Sequence, residues 1–279
     1  MFKLQNLLFA AAAVVAINAY ADAPAAHAPK ADAATDQQLS AVLAGDWRSE
    51  KNKARDQYRH PKQTLEFFGV KPNQTVVELV PAGGWYAEIL APLLKDHGHY
   101  VAAVFKPKDT SGEDARDKSG LRKKFADDPA HFGAAQVVEF DGKAPVFGAP
   151  GSADVVLTFR NAHNWTDDGN ADVMFKAMFA VLKKGGTLGV EDHRAKPGTT
   201  LAANKDTGYL PVDVVVKLAT DAGFKLVAQS EINANPKDTK DYPKGVWTLP
   251  PVLALKDKDR EKYLAIGESD RMTLRFVKP

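Results

Sequence analysis

The sequence of 279 residues contains no cysteine. It therefore has no disulfide bond, no thiol nucleophile and no cysteine-ligated zinc or iron–sulfur cluster. An excess of one charge is also missing, because 37 lysine and arginine residues face 35 aspartate and glutamate residues. A general nucleic-acid-binding protein usually has a basic surface, so this balance argues against that class. It gives no support for attraction to a membrane surface either.

Two catalytic motifs are absent as well. The sequence contains no Gly-x-Ser-x-Gly elbow and no phosphate-binding loop that ends in Gly-Lys-Ser or Gly-Lys-Thr. Serine hydrolases and P-loop nucleotide hydrolases depend on these motifs, so neither class is favoured. Apolar residues, in contrast, make up 44% of the chain, which is ample for the core of a large domain.

The N-terminus has the pattern of a secretory signal peptide. Lys3 precedes the apolar stretch Leu7–Ile17, and a small-x-small triplet ends at Ala21. We predict cleavage after Ala21 and export of the mature chain to the periplasm. Because the apolar stretch is shorter than the roughly 20 residues of a spanning helix, we expect no stable membrane insertion after cleavage. The predicted organisation is a signal peptide over residues 1–21, an Ala/Pro-rich linker over 22–35 and one domain over 36–279.

From residue 76 onward, short apolar segments alternate with segments of helical periodicity. This alternation predicts an α/β fold, in which a doubly wound, mainly parallel sheet has helices on both faces. Apolar residues between Leu39 and Phe68 predict N-terminal helices, and a helix before the fifth strand is predicted to end at Gly185. The last strand follows without a helical crossover, so we expect it to run antiparallel. The seven predicted strands cover residues 76–80, 99–105, 135–140, 153–159, 187–191, 224–230 and 271–277.

A strand, a turn of small residues and a helix follow one another in residues 76–90, VVELVPAGGWYAEIL. The turn over residues 81–84 would place backbone N–H groups and a helix N-terminus at the carboxyl edge of the sheet. Open α/β sheets bind nucleotide-like cofactors at this edge. Any strand–helix connection needs a compact turn, so a purely structural explanation stays open.

The order of four segments resembles that of class I S-adenosylmethionine-dependent methyltransferases. The segments are VVELVPAGGWYAEIL, VEFD, ADVVLTFRNAHNW and LKKGGTLGVEDHRA. More narrowly, the Gly-Gly-Trp-Tyr turn and the Arg-Asn-x-His strand end resemble exported bacterial predicted methyltransferases. The resemblance covers roughly residues 36–279. It implies a Rossmann-like seven-stranded sheet, S-adenosylmethionine (SAM) as the cofactor and a small molecule as the methyl acceptor.

The resemblance also implies a set of cofactor-binding residues. Glu78 ends the first strand, where a carboxylate can bind the ammonium group of the cofactor. The loop of residues 82–84 matches the glycine-rich loop beside the methionine part, where a helix N-terminus can face a carboxylate. Asp141, after the third strand, matches the polar position near the adenine amine. The predicted set is Glu78, Ala82, Gly83, Gly84, Asp141 and Arg160.

Two features depart from the superfamily pattern. Val80 and Ala82 occupy positions where glycine is usual, which leaves less room for a ligand to approach the backbone. The second strand ends before Lys106 without the acid that usually accepts hydrogen bonds from the ribose hydroxyls. These departures favour the alternative function, a non-catalytic exported ligand-binding protein with a methyltransferase fold.

Polar residues follow the fourth and fifth strands, which are neighbours in the methyltransferase sheet order. We predict that His163 is a general base that accepts a proton from the methyl acceptor. A carboxylate of Glu191 or Asp192 would orient it, and Asn161 would position the acceptor. The catalytic set is therefore His163, Asn161 and Asp192.

Two alternatives to this assignment stay open. A histidine at the end of a strand is often a hydrogen-bonded structural residue. His163, Glu191, Asp192 and His193 could also bind a metal ion, although no ordered ligand spacing favours one. The polar segment itself is predicted to be a loop, with the next helix beginning no earlier than Asp167.

Two further segments could cover the site. Arg59, His60 and Pro61 lie between the N-terminal helices, where they either cover the pocket or end a helix. The Pro- and Lys-rich stretch 232–270 is too long for a simple hairpin. It is predicted to be either an active-site flap or a solvated excursion.

Overall fold

The structure is a computed structural model that describes residues 32–107 and 120–279. The predicted signal peptide, residues 1–21, lies outside the described residues, as does most of the predicted linker. In the two described ranges, no helix is both long enough and apolar enough to cross a bilayer.

The domain begins earlier than predicted. Helix α1 (Ala33–Ala44) starts inside the segment assigned to the linker, and Leu39 and Val42 bury its apolar side. Asp32 caps the helix by accepting the backbone N–H of Thr35 at 2.8 Å. A capping carboxylate satisfies an N–H group that has no partner within the helix. The first helix thus begins three residues before the predicted boundary at residue 36.

Seven strands form one sheet, and they are β1 (Thr75–Leu79), β2 (His99–Phe105), β3 (Gln136–Phe140), β4 (Ala153–Phe159), β5 (Leu182–His193), β6 (Lys225–Ser230) and β7 (Arg271–Val277). Their order is β3-β2-β1-β4-β5-β7-β6. β1 to β5 pair in parallel, whereas β7 runs antiparallel between β5 and β6. The predicted fold class is confirmed, including the antiparallel last strand.

Helices cover both faces of this sheet, because the strands alternate their apolar side chains between two cores. In β1, Val76 belongs to the core on one face, whereas Val77 and Leu79 belong to the core on the other. Successive side chains of a strand point to opposite faces. Besides α1, the helices of the described ranges are α2 (Glu50–Lys53), α3 (Asp56–Arg59), α4 (Pro61–Phe68), α5 (Ala87–Leu94), α6 (Leu121–Asp127), α7 (Pro129–Phe132), α8 (Ala162–Asp167), α9 (Ala171–Val181), α10 (Val212–Asp221) and α11 (Arg260–Ile266).

Helix α8 occupies the segment that was predicted to be a loop. It begins at Ala162, directly after the end of β4, and not at Asp167. The first backbone N–H groups of a helix have no partner within the helix. Here the carboxylate of Asp192 accepts the backbone N–H of His163 at 3.2 Å. The prediction failed because this partner lies on a distant strand.

Strand β5 also differs from its prediction, because α9 ends at Val181 and the strand starts at Leu182. Gly185 lies inside the strand with φ +79°, so it does not end the helix. The register between β4 and β5 shifts after Ala153, as at a β-bulge. A bulge often places glycine at positive φ.

The long segment 232–270 packs against the protein at the carboxyl edge of the sheet. It contains α11 and a short 3-10 helix, Gly245–Thr248. Val246 is buried and packs with Ala195 and Tyr209. The segment is therefore not a solvated excursion.

Candidate functional site

The loop after β1 has the backbone of a glycine-rich loop without all of its glycines. Val80, Ala82 and Gly84 have φ values of +48°, +50° and +76°. For a residue with a Cβ, the left-handed region costs about 1–2 kcal/mol, and a β-branched residue rarely adopts it. Backbone strain of this kind occurs at functional sites that hold it in place. The loop thus keeps its shape at an energetic cost.

A cavity of about 140 Å³ lies between this loop and the end of β4. Four of the residues predicted to form the site line it, and they are Glu78, Ala82, Arg160 and Asn161. The rings of Trp85, Tyr86 and Phe159 form its aromatic walls. Cavities that enclose a whole small-molecule ligand measure about 300–1,000 Å³. This cavity has the size for one end of a larger ligand.

The two predicted glycines have different surroundings. A Cβ added to Gly83 would meet nothing within 4 Å, so this position is open. A Cβ on Gly84 would lie 2.7 Å from the Leu121 side chain and 3.3 Å from that of Ala87. Neither glycine lines the cavity itself: Gly83 is exposed and borders open space, whereas Gly84 allows close packing and a positive φ.

Glu78 places a carboxyl group in the cavity, and among the described residues a single side chain donates a hydrogen bond to it. The side chain is 2% exposed, and the Tyr100 hydroxyl donates to Oε2 at 2.6 Å. Burial raises the pKa of Glu78 to about 7, against the opposing effects of Tyr100 and the positive charge of Arg160. A ligand cation beside Glu78 would stabilise the carboxylate and lower this pKa.

Arg160 also has a left-handed backbone, with φ +59°. Its backbone N–H donates to the Glu191 carbonyl at 2.7 Å, and its Nη1 donates to Oε1 of the same residue at 3.0 Å. Burial alone would lower the pKa of Arg160, but the charges of Glu191 and Glu268 raise it. The guanidinium therefore stays charged, and it lines the cavity from the β4 side.

Asn161 joins the ends of β1 and β4. Its Nδ2 donates to the Leu79 carbonyl at 2.9 Å and to the Thr158 hydroxyl at 3.3 Å. These bonds fix the side chain at the wall of the cavity. A fixed amide at a cavity wall can position a ligand through its carbonyl oxygen.

His163 and Asp192 form a buried pair, which joins α8, just after Asn161, to the end of β5 but does not line the cavity itself. Nδ1 of His163 lies 2.7 Å from Oδ1 of Asp192. A carboxylate only accepts hydrogen bonds, so Nδ1 donates and Nε2 is the basic nitrogen. Burial alone would lower the pKa of His163, but the charge and hydrogen bond of Asp192 raise it. Of the two carboxylates expected beside His163, it is Asp192 that contacts it.

His193 lies beside this pair in a different protonation state. Its ring centroid is 5.1 Å from that of His163, and its Nδ1 is 2.6 Å from the Ser269 hydroxyl oxygen. Burial, followed by the charges of His163 and nearby arginines, holds the pKa of His193 well below its ordinary value. His193 is therefore neutral at neutral pH.

The same three side chains offer a geometry for a metal ion. His163, Asp192 and His193 place ligand atoms within 4.8 Å of one another. Asp192, however, already accepts the ring N–H of His163 and two backbone N–H groups. The hydrogen-bonding of the carboxylate therefore favours an oriented histidine base over a metal centre.

Trp247 shows where the segment 232–270 meets the site. Its ring centroid lies 6.2 Å from that of His163. The 3-10 helix that contains it therefore covers the His163–Asp192 pair. An active-site flap would make such a contact with His163, but no residue of the segment lines the cavity, so the flap stays a prediction.

Asp141 lies apart from the cavity, after the edge strand β3. It is exposed and accepts the backbone N–H of Lys143 at 2.8 Å. Next to it, the Phe105 side chain at the end of β2 is 42% exposed and packs against Phe140, with the ring centroids 4.5 Å apart and the ring planes tilted by 45°. Sequence reasoning missed this exposed aromatic ring, although its position at the strand end could have indicated it.

A cluster of arginines, of which Arg59 and Arg271 are buried and the other two half-buried, was also missed. The arginine cluster consists of Arg55, Arg59, Arg160 and Arg271, and two buried carboxylates contact it. Glu268 contacts Arg55 at 2.7 Å, Arg59 at 3.0 Å and Arg271 at 2.8 Å. Glu191 binds Arg160 at 3.0 Å and Arg271 at 3.1 Å. The cluster spans α3 and the start of β7, so no local pattern could reveal it.

Solved structures of low sequence identity share this fold. The chain matches a SAM-dependent methyltransferase from Aquifex aeolicus with a TM-score of 0.54, at 12% identity over 90% of this chain and 100% of that one. The fold is that of the SAM-dependent methyltransferases. The glycopeptide N-methyltransferase MtfA matches with a TM-score of 0.50, at 15% identity over 83% of this chain and 100% of that one.

The same fold also occurs in a protein with a different activity. The [4+2]-cyclase SpnF matches with a TM-score of 0.55, at 14% identity over 90% of this chain and 98% of that one. No protein-family model matches the sequence, and neither does any curated protein. A fold does not determine an activity, so the function must be argued from the site.

Proposed function

We propose that this protein transfers a methyl group from SAM to a small-molecule acceptor. The observation that carries the proposal is the strained loop of Val80, Ala82 and Gly84, of which Val80 and Ala82 line the cavity together with Glu78 and Arg160. The left-handed backbone is retained at two positions where the side chain makes it costly. A binding role for this loop accounts for the cost.

The cavity suits the amino-acid end of the cofactor. Glu78 would bind the ammonium group, and the loop N–H groups at the N-terminus of α5, together with Arg160, would bind the carboxylate. Gly83 leaves open space where any other residue would have a Cβ. These side chains have the charge and position that a zwitterionic end requires.

The exposed ring of Phe105 and the carboxylate of Asp141 would bind the adenine end. Phe105 ends β2, and Asp141 follows β3, which is the neighbouring strand. An aromatic ring can stack on a nucleobase, and a carboxylate can accept from an exocyclic amine. Stacking on Phe105 would compensate in part for the missing acid after β2.

The cofactor supplies an electrophilic methyl group on a sulfonium. The acceptor oxygen or nitrogen forms the new bond to carbon while the carbon–sulfur bond breaks and its electron pair stays on sulfur. Nε2 of His163 takes the proton that the acceptor loses, and Asp192 stabilises the resulting imidazolium. Asn161 holds the acceptor near this base, since proximity supplies much of the rate in such a displacement.

Calorimetric titration with SAM and with S-adenosylhomocysteine tests the proposal directly. We expect binding of both at one site per chain, with loss of affinity in Gly83→Val. Methyl transfer from radiolabelled SAM to a metabolite pool should require His163. Binding without transfer would favour the non-catalytic alternative, and absence of binding would refute the proposed function.

The proposal includes export of the protein to the periplasm. It is supported by the cation, the apolar stretch and the Ala19–Ala21 triplet of the N-terminus. The intact mass of periplasmic material should correspond to a chain that begins at Asp22. A full-length cytoplasmic product would contradict this part of the proposal.

A further inference from the structure

The arginine cluster has more positive charge than its buried partners neutralise. Its four guanidinium groups contact two carboxylates, Glu191 and Glu268, which are 0% and 4% exposed. The nearby Arg48 adds no charge, because it forms a bidentate pair with Asp56. Within the described part of the chain, the carboxylates that contact the cluster thus leave two positive charges uncompensated. The other carboxyl group at the cavity, Glu78, pairs with the cofactor ammonium in the proposed function.

Arg59 is the member whose charge is least compensated. It is 4% exposed and gives Glu268 only its Nε, at 3.0 Å. Its guanidinium lies over the Trp85 ring, 4.7 Å from the centroid. Burial, followed by the positive charge of Arg160, lowers the pKa of Arg59 to about 9. Burial of a charge without a full partner lowers the stability of the fold. The charge of Arg59 is therefore retained for a reason other than stability.

Hydrogen-bonding capacity is unused at the same place. Nη2 of Arg55 is buried without a partner, and Nε of Arg271 lies 3.1 Å from Glu191 without hydrogen-bond geometry. Among the described residues, neither Nη atom of Arg59 makes a hydrogen bond to a side chain. Native proteins rarely leave such donors unsatisfied, and a ligand is one established reason for it.

The uncompensated charge borders the cavity. Arg160 lines the cavity directly, and Arg59 lies over Trp85, which forms one of its walls. Arg271 connects the two guanidinium groups, because it contacts Glu268, the partner of Arg59, and Glu191, the partner of Arg160. Two guanidinium groups beside an aromatic wall form a good receptor for carboxylate or phosphate oxygens.

We propose that the methyl acceptor carries an anionic group, a carboxylate or a phosphate, which binds between Arg59 and Arg160. That the bound anion belongs to a methyl acceptor rests on the proposed function, whereas the anion site itself does not. The carboxylate of the cofactor neutralises one of the two uncompensated charges. The second charge therefore belongs to the acceptor, and neutral acceptors would bind weakly.

Thermal unfolding with added anions tests the proposal. Inorganic phosphate and acetate are titrated at constant ionic strength, with chloride as the reference. We expect a saturable rise in the melting temperature, and the anion with the higher affinity identifies the acceptor group as phosphate or carboxylate. The titration is repeated with saturating S-adenosylhomocysteine, under which the rise should persist. Loss of the rise under that condition would show that the charge serves only the cofactor, and would overturn the proposal.

Variants locate the site. Arg59→Gln should lower the affinity for the anion by about 10- to 100-fold, since it removes a charge-assisted contact. Arg59→Lys should retain part of the affinity. Glu268 keeps Arg55 and Arg271 as partners in either variant. If Arg59→Gln fails to fold, Arg160→Gln replaces it, because Glu191 keeps Arg271.

Arg275→Gln is the matched control, because Arg275 borders a separate cavity of about 410 Å³ at the opposite edge of the sheet. It should leave anion binding unchanged. Loss of binding in Arg275→Gln, or no saturable rise in the wild-type protein, would contradict the proposal. Anion binding without SAM binding would refute the proposed function alone, and SAM binding without anion binding would refute this inference alone.

Discussion

Nδ1 of His163 lies 2.7 Å from Oδ1 of Asp192, and both side chains are almost completely buried. The pair joins the first turn of α8 to the end of β5. It fixes the ring and leaves Nε2 as the basic nitrogen. The first two predictions concern this pair.

Replacement of His163 by asparagine separates the chemical role from the structural one. The amide nitrogen of asparagine can still donate to Asp192, so we expect the fold and SAM affinity to be retained. Turnover should fall by about 10²- to 10⁴-fold, the usual contribution of a general base. His193→Asn is the matched control and should cost less than tenfold. Equal losses of turnover in the two variants would show that His163 is not the general base.

The pH dependence of turnover should depend on Asp192. His163 must be neutral to accept a proton, so turnover should rise as the pH passes through its raised pKa. In Asp192→Asn the charge that raises this pKa is gone, so the inflection should move to lower pH. Protonated His163 also stabilises the fold below its unfolded pKa, and this contribution is lost as pH rises through the folded pKa. An unmoved inflection in the variant would exclude His163 as the titrating group.

Glu78 should make stability fall with rising pH. Its folded pKa of about 7 lies above the ordinary value of 4.5, so the folded state binds more protons between these pH values. The free energy of unfolding should decrease over that interval by about 3 kcal/mol. Glu78→Gln should remove this decrease, as denaturant unfolding at pH 5 and pH 8 would show. In the wild-type protein, SAM binding near pH 6.5 should release a proton, because a cation lowers this pKa.

Substitution by valine should affect ligand binding at Gly83 but stability at Gly84. Gly83→Val places its side chain in open space, so the melting temperature should change by less than about 2 °C while SAM affinity falls at least tenfold. Gly84→Val would strain a backbone at φ +76° and collide with Leu121, so it should lower stability strongly. A stable Gly83→Val protein with wild-type SAM affinity would remove the loop from the binding site.

The strands could be predicted from the sequence because their signal is local. Three of them, β2, β4 and β7, have the predicted bounds, since runs such as HYVAAVF and ADVVLTF are bounded by polar residues. Helix α8 was missed because Asp192 supplies its first-turn partner from a distant strand. The arginine cluster was missed for the same reason, since Arg55 and Glu268 come together only in the folded chain.

The pairing of Arg55 with Glu268 also constrains how the protein is made. These residues are 213 positions apart, so nearly the whole domain must be synthesised before the carboxylate can reach the arginines of α3. A nascent chain that ends before Glu268 contains those arginines without this acidic partner. Helix α3 therefore docks late, and a chain truncated before Glu268 should expose it to proteolysis even if β1 to β5 have formed.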